Sequence, residues 1–244
     1  MEKTEAIILT YTKFGDNKLI VNTLTRQNGR MSFCLTIPAV RNRSSALPYC
    51  QPLFQNEIEY IDNGKIGSIK KIGKMTPIYT YRTIPFDTAK TTVAMFLAEI
   101  LSKILSYSEK NEDLFNFIST SLHLLDDASY KGINFHLKFL MQLAKYMGIY
   151  PGNRYSEQKP YFDISRSMFI EQTLEVTHTI KPPTSLKFSE ILDSDFLACE
   201  KININGAMRT DMLQYIIEYF RYRFDSIHNI KSIDVLKAIF HQQQ

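Results

Sequence analysis

TEAIILTYTKFGDNKLIVNTLTRQNGRMSFCLTIPAVRNRSS, residues Thr4 to Ser45, is the stretch whose reading decides the fold. Ala6–Tyr11, Leu19–Leu24 and Arg30–Ile37 are rich in Ile, Val, Thr and Leu, the composition of strands. Phe14-Gly15-Asp16-Asn17 separates the first pair as a turn, and Asn28-Gly29 between the second pair is a strong short-range hairpin signal. Pro38 ends the third segment, because proline has no N–H for a central ladder. Between Lys13 and Arg43 run six cations, Lys13, Lys18, Arg26, Arg30, Arg41 and Arg43, against the single acid Asp16. The pattern predicts a small twisted β-domain with a basic face. Charge alone is equally consistent with a solvated surface.

Working outward, Leu53–Ile61 alternates apolar and polar residues as a half-buried strand does, Asp62-Asn63-Gly64 is a second turn, and Ile66–Ile72 completes five strands. Lys70, Lys71 and Lys74 cluster at its end. Five short strands over residues 1–80 fit a closed barrel of the OB type. A Pro- and Tyr-containing linker, Pro77–Pro85, then leads into residues 81–244, where the apolar period lengthens to three and four. Thr88–Ser106, with Asp87 as N-cap, Asp113–Leu125, and Asn134–Met147, stopped by Gly148, are predicted helices. Residues 151–183 are irregular and aromatic, and helices return at Leu186–Leu192, Arg209–Phe224 and Ser232–Phe240. The fold class is therefore α+β.

The chain has 244 residues and a formal net charge of +4. Residues 1–80 hold eleven Lys+Arg and six Asp+Glu, or +5, so the remaining eighteen and nineteen give −1. The basic excess lies wholly in the N-terminal third, which favours a polyanionic partner there, most simply nucleic acid. Three sparse cysteines, Cys34, Cys50 and Cys199, form neither a disulfide framework nor a Cys-rich metal site. No apolar h-region opens the chain and no apolar run reaches membrane-spanning length, so a cytoplasmic, nucleoid-associated protein is expected.

Enzyme readings lack a constellation. His123, His136, His178, His228 and His241 fall in no ligand spacing, no phosphate loop or nucleophile elbow occurs, and Asp126-Asp127 reads as a solvated helix terminus. No catalysis and no cofactor are expected.

These features together resemble the bacterial RecO family of recombination mediators over nearly the whole chain. The resemblance is carried by Glu5-Ala6-Ile7-Ile8-Leu9, Gly15-Asp16, Thr25 to Gly29-Arg30, the loop Arg41-Asn42-Arg43-Ser44, and Gln51-Pro52-Leu53-Phe54. It continues in Phe139 to Pro151, an apolar helix ending Leu143-Ala144-Lys145-Tyr146-Met147-Gly148-Ile149-Tyr150-Pro151, and in Lys231-Ser232 before a short apolar helix. No single motif is specific; their order and spacing are.

The resemblance implies an OB barrel followed by a helical domain. It also implies binding of single- and double-stranded DNA, strand annealing, and action with RecR to load RecA onto DNA coated by single-stranded-DNA-binding protein (SSB). The expected phosphate contacts are Lys13, Lys18, Arg26, Arg30, Arg41, Arg43, Lys70, Lys71 and Lys74, with Tyr11, Phe14 and Phe33 as stacking candidates, of which alternation makes some core and favours core over stacking for Phe33. The acidic, apolar-ended SSB tail is expected at Lys138, Met141 and Lys145 with the edge of Leu137; the competing reading is a core helix with solvated lysines. Arg209, Arg221 and Arg223 leave a C-terminal DNA contact open. Many family members carry a four-cysteine zinc motif after the Gly148–Pro151 segment. Here Gly152–Phe169 has no Cys and no His, so a degenerate, zinc-less finger is expected, with Tyr155, Tyr161, Phe162 and Phe169 as an apolar substitute. The alternative function is an OB-containing RNA- or protein-binding module without annealing activity.

Overall fold

In the computed structural model, residues 1–37, 47–62, 64–65, 67–106, 109–171 and 178–241 are described. The chain divides into two compact units, Met1–Ala128 and Ser129–Gln244.

The first unit is built on a closed five-stranded barrel, in the order β1-β2-β3-β5-β4, from β1 (Glu2–Lys13), β2 (Lys18–Thr25), β3 (Gly29–Thr36), β4 (Gln55–Ile61) and β5 (Lys70–Pro77). All neighbours are antiparallel except β3 and β5, which close the barrel through Phe33↔Lys70 and Cys34↔Lys71. The β2–β3 connection is one residue longer than a two-residue Asn-Gly turn: Thr25 pairs with Gly29, and Gly29 takes the left-handed φ of 67° that ends a three-residue loop. The fifth strand starts later than its apolar pattern suggests, because Gly64 and Gly67 are both left-handed and extend the turn.

Alternation places Ala6, Ile8, Leu19, Val21, Phe33, Leu35, Ile58, Tyr60 and Ile72 inside the barrel. Phe33 and Tyr60 meet edge to face at 5.3 Å between centroids, so Phe33 is core. Burying such a ring is worth about 2–3 kcal/mol.

The strands give way to helices after Pro77, but the first compact unit continues to Ala128. Helices α1 (Thr88–Ile104) and α2 (Glu112–Asp126) belong to it. Both are capped by side chains, Asp87 accepting from Lys90 N at 3.0 Å and Asn111 from Leu114 N at 2.9 Å. α1 packs on β1. Ile7 and its register partner Leu24 are fully buried yet stand outside the interior cluster, on the barrel's outward face. At this end of that face Arg30 donates to the Ser102 carbonyl at 3.3 Å, and Arg26 lies over the Phe115 ring at 4.6 Å. The helices thus cover one half of the outward face of β1–β2–β3.

The linker between β5 and α1 is held by Asp126, the last residue of α2. Far from being solvated, Asp126 is 3% exposed. Its carboxylate accepts from three consecutive backbone N–H groups, Arg82 (2.8 Å), Thr83 (2.8 Å) and Ile84 (2.9 Å), and from the Tyr79 hydroxyl (3.1 Å). Burial pushes its pKa up, but the hydrogen bonds from Ile84, Arg82, Thr83 and Tyr79 outweigh burial and leave it below the usual carboxylate value.

The second unit is organised on α3 (Phe135–Tyr146), which packs against α4 (Thr184–Asp193), α5 (Phe196–Glu200) and α6 (Gly206–Arg221); α7 (Ser232–His241) packs on α6. Between α3 and α4 lies a small sheet, β7-β6-β8, from β6 (Tyr161–Asp163), β7 (Met168–Ile170) and β8 (Thr179–Ile180). Its core is aromatic. Phe162 and Phe169 are buried and 5.0 Å apart, Phe162 meets Phe188 of α4 at 4.9 Å, and Tyr155 stands edge-on to Phe169. Asn153 pairs with Phe169 as a strand would, donating to its carbonyl at 2.8 Å and accepting from its N–H at 2.6 Å. Arg223 grips the β6–β7 turn by donating to the carbonyls of Ile164 and Ser165 and to the Ser167 hydroxyl.

Candidate nucleic-acid interface

The nine cations expected to meet phosphate do not form one surface. Three are committed to the fold. Arg26 pairs with Glu5 at 2.7 Å and with Glu112, Glu5 lying just before the interval in which Asp16 is the only acid. Arg30 is half-buried, and burial lowers its pKa. Lys70 points inward by alternation with Lys71; it is 6% exposed and caps the barrel mouth by donating to Asp62 and, at 2.8 Å, to the Lys65 carbonyl. Lys74 is exposed but stands opposite Glu59, which Lys3 also engages at 3.0 Å, so its neighbourhood is of mixed charge.

Lys13, Lys18 and Lys71 remain. All three are exposed and have no ion pair among the described residues. Register places Lys18 opposite Thr36, and Lys71 beside Cys34, itself opposite Ile20. Lys18, Ile20 and Asn22 share one parity on β2, and Ser32, Cys34 and Thr36 share it on β3. Lys18 and Lys71 therefore stand on the half of the outward face that α1 and α2 leave open. Lys13 sits at its rim, opposite Leu19. The floor of this half is a polar ladder: Asn22 donates to the Thr10 hydroxyl at 3.0 Å and accepts from Ser32 at 2.7 Å. At the β1–β2 tip, Phe14 is 61% exposed. Ile37 N donates to Asn17 O at 2.7 Å, tying the end of β3 to that tip. Arg41 and Arg43 follow from there and lie outside the described residues.

In the second unit, Lys138 and Met141 are buried, Leu137 likewise, and only Lys145 of the expected trio is exposed. The Lys138 ammonium donates to the carbonyls of Ile191 (3.0 Å) and Leu192 (3.1 Å), the open C-terminal end of α4, and burial lowers its pKa. Lys138, matched to the family's basic residue at the start of this helix, here caps the C-terminal end of α4. Arg209, 7% exposed, donates to Asn134 and to Ile204 O, Arg221 to Ile227 O, and Arg223 to the β6–β7 turn, so these three serve the helical fold. Burial raises the Cys50 and Cys199 thiols to about 11, which keeps both protonated at neutral pH. Among the described residues no three His, Cys, Asp or Glu side chains converge to hold a metal ion, and no helix is long and apolar enough to cross a membrane.

Residues 1–78 match the family model for the recombination protein O N terminus, and residues 85–155 the model for its C terminus. A DNA repair protein RecO from Flavobacterium johnsoniae is 34% identical over 245 residues, covering 98% of each chain. That of Flavobacterium psychrophilum is 30% identical with 98% of each chain covered.

The chain belongs to the RecO family.

A further RecO relative, from Phocaeicola vulgatus, is 29% identical over 98% of this chain and 99% of its own. The family is one of DNA repair and recombination proteins, and its barrel-then-helices order is the one seen here.

Proposed function

We propose that this RecO-family chain binds DNA on the open half of the outward face of β1–β2–β3 and β5, and there anneals complementary strands. The observation that carries the reading is the placement of Lys18 and Lys71 on the part of the face that α1 and α2 leave uncovered, beside the polar Thr10–Asn22–Ser32 ladder. OB-type barrels use this β2–β3 surface and the adjoining loops for oligonucleotides. Lysine contacts to phosphate carry no base information, so binding is nonspecific and weakens steeply with salt. Two strands held on one cationic surface repel each other less, which lowers the barrier to pairing.

The family resemblance adds RecR, SSB and RecA as the proteins around that step: with RecR, annealing and RecA loading at SSB-coated gaps. The geometry of the barrel supports the DNA step. The test is fluorescence-anisotropy titration of the full chain with a single-stranded oligonucleotide at several salt concentrations, alongside a strand-annealing assay with and without SSB. Affinity falling linearly on a log–log salt plot, with annealing, is the expected result. Salt-independent binding, or binding without annealing, overturns the proposal, the second outcome favouring a plain nucleic-acid- or protein-binding module.

A further inference from the structure

OB domains that hold single strands commonly stack successive bases on aromatic side chains, and that stacking carries much of the affinity. The open half of this barrel is built differently. Its central positions are Asn22 and Ser32, then Ile20 and Cys34, small or branched side chains that present no ring. The Asn22 amide is already spent on Thr10 and Ser32. The barrel's own rings, Phe33 and Tyr60, are turned inward against each other. Tyr11 stands opposite Val21 with inward parity, but near the end of β1 it is 37% exposed rather than core. The sequence that follows β3, Pro38 to Ala46, contains two arginines and no aromatic residue. Among the described residues the exposed rings that border the face are Tyr11 and Phe14, both at its β1–β2 rim.

We infer that this face grips a polynucleotide by its sugar–phosphate backbone, laid along the Lys18–Lys71 row, and leaves the bases pointing outward to solvent. The inference rests on the DNA-binding reading above and specifies its geometry. Cations at both sides of a ring-free floor fit phosphates and offer bases no platform. Tyr11 and Phe14 offer stacking only at the edge, off the Lys18–Lys71 row. A strand held this way keeps its Watson–Crick edges available while bound, so pairing with an incoming complement needs no prior release. A strand whose bases were stacked on the protein would first have to be peeled off.

The test compares two ligands of equal length and charge, oligothymidylate and the same oligomer lacking its bases, titrated against the native chain and against Phe14→Ala. A stacked base contributes roughly 5- to 150-fold in affinity. In Phe14→Ala the two ligands are expected to bind within about fivefold of each other. Any larger gap in the native chain then belongs to Phe14. A gap above about fivefold that persists in the variant means that other side chains stack bases, and overturns the inference. A second readout is permanganate oxidation of thymines in the native complex: reactivity close to that of the free strand is expected, and protection along the bound stretch overturns the inference. Failure of the native chain to bind either ligand overturns the DNA-binding reading itself, and is distinguishable because both titrations are then flat.

Discussion

Replacing Asp126 by alanine tests the carboxylate that joins α2 to the linker after the barrel. A negative charge at a helix C-terminus opposes the helix dipole, so the arrangement stands only because donors outnumber that cost. Three successive amides, Arg82, Thr83 and Ile84, converge on the carboxylate at 2.8–3.0 Å. Arg82 is exposed and water replaces its bond in the variant, whereas Ile84 is buried and Thr83 half-buried. An orphaned buried amide costs about 1–3 kcal/mol, so two of them give about 3 kcal/mol. Converted at 1.36 kcal/mol per decade, that is about 150-fold faster hydrogen exchange for the amides of Arg82–Ile84 whenever the linker opens locally. Mass-resolved exchange on a peptide spanning Tyr79–Asp87 reads this directly. Asp126→Asn keeps one acceptor oxygen and should fall between native and alanine. Because the folded pKa lies below the ordinary value, the carboxylate's contribution is fully present above the unfolded carboxyl pKa of about 3.9 and is lost as pH falls through the lower folded value. Unchanged exchange at Arg82–Ile84 in Asp126→Ala at pH 7 would refute the reasoning.

Other outcomes follow from the same geometry. The double variant Lys18→Glu, Lys71→Glu should weaken single-strand binding by more than tenfold. It should also flatten the log–log salt slope by about 1.4, because each neutralised phosphate of a single strand adds ~0.7 to that slope; an unchanged slope would move the interface elsewhere. Lys70→Met should leave the slope alone and lower barrel stability instead, since Asp62 loses the ammonium that it meets; urea denaturation followed by circular dichroism separates the two. Phe162→Ala removes a fully buried ring from the aromatic core of the small sheet and should destabilise the second unit by about 3–5 kcal/mol, read as an earlier unfolding transition. Lys138→Met removes one of two donors from each of the Ile191 and Leu192 carbonyls, which keep the Ser194 and Tyr150 hydroxyls, so it should cost only about 1 kcal/mol, visible in the same melts.

Local physics was legible in the sequence. The alternation of Leu19, Val21, Phe33 and Leu35 with polar neighbours gave the barrel, and Asp87 and Gly148 marked a helix start and a helix end because caps are read from a few adjacent residues. What escaped was every property set by a distant partner. Arg26 and Lys70 look like surface cations until strand pairing brings Glu5 and Asp62 to them. Lys138 looks like a binding residue until the α4 terminus arrives from some fifty positions away. Asp126 looks like a solvated terminus because nothing in its own helix shows that three amides of a preceding linker will point at it. The same limit shortened the interface: parity distinguishes Lys70 from Lys71, but which parity faces inward is known only once the barrel closes. The segment after Pro151 packs Tyr155, Phe162 and Phe169 together, and gains two supports that composition does not reveal, the Asn153 pairing and the Arg223 grip.

The barrel's seam has a thermodynamic consequence. β3 and β5 are joined by two register pairs, far fewer than join β1 to β2 or β2 to β3. They are parallel and distant in sequence, so their loop-closure entropy is met late, after the β1–β2–β3 meander has formed. Lys18 lies on one side of this seam and Lys71 on the other. The polyanion proposed to bridge them would bind the closed barrel and not the opened one, and by mass action would hold the seam shut. On the proposed DNA reading, occupancy and closure are one linked equilibrium: the free energy of opening at Phe33–Lys70 rises with the logarithm of DNA concentration once that exceeds the dissociation constant.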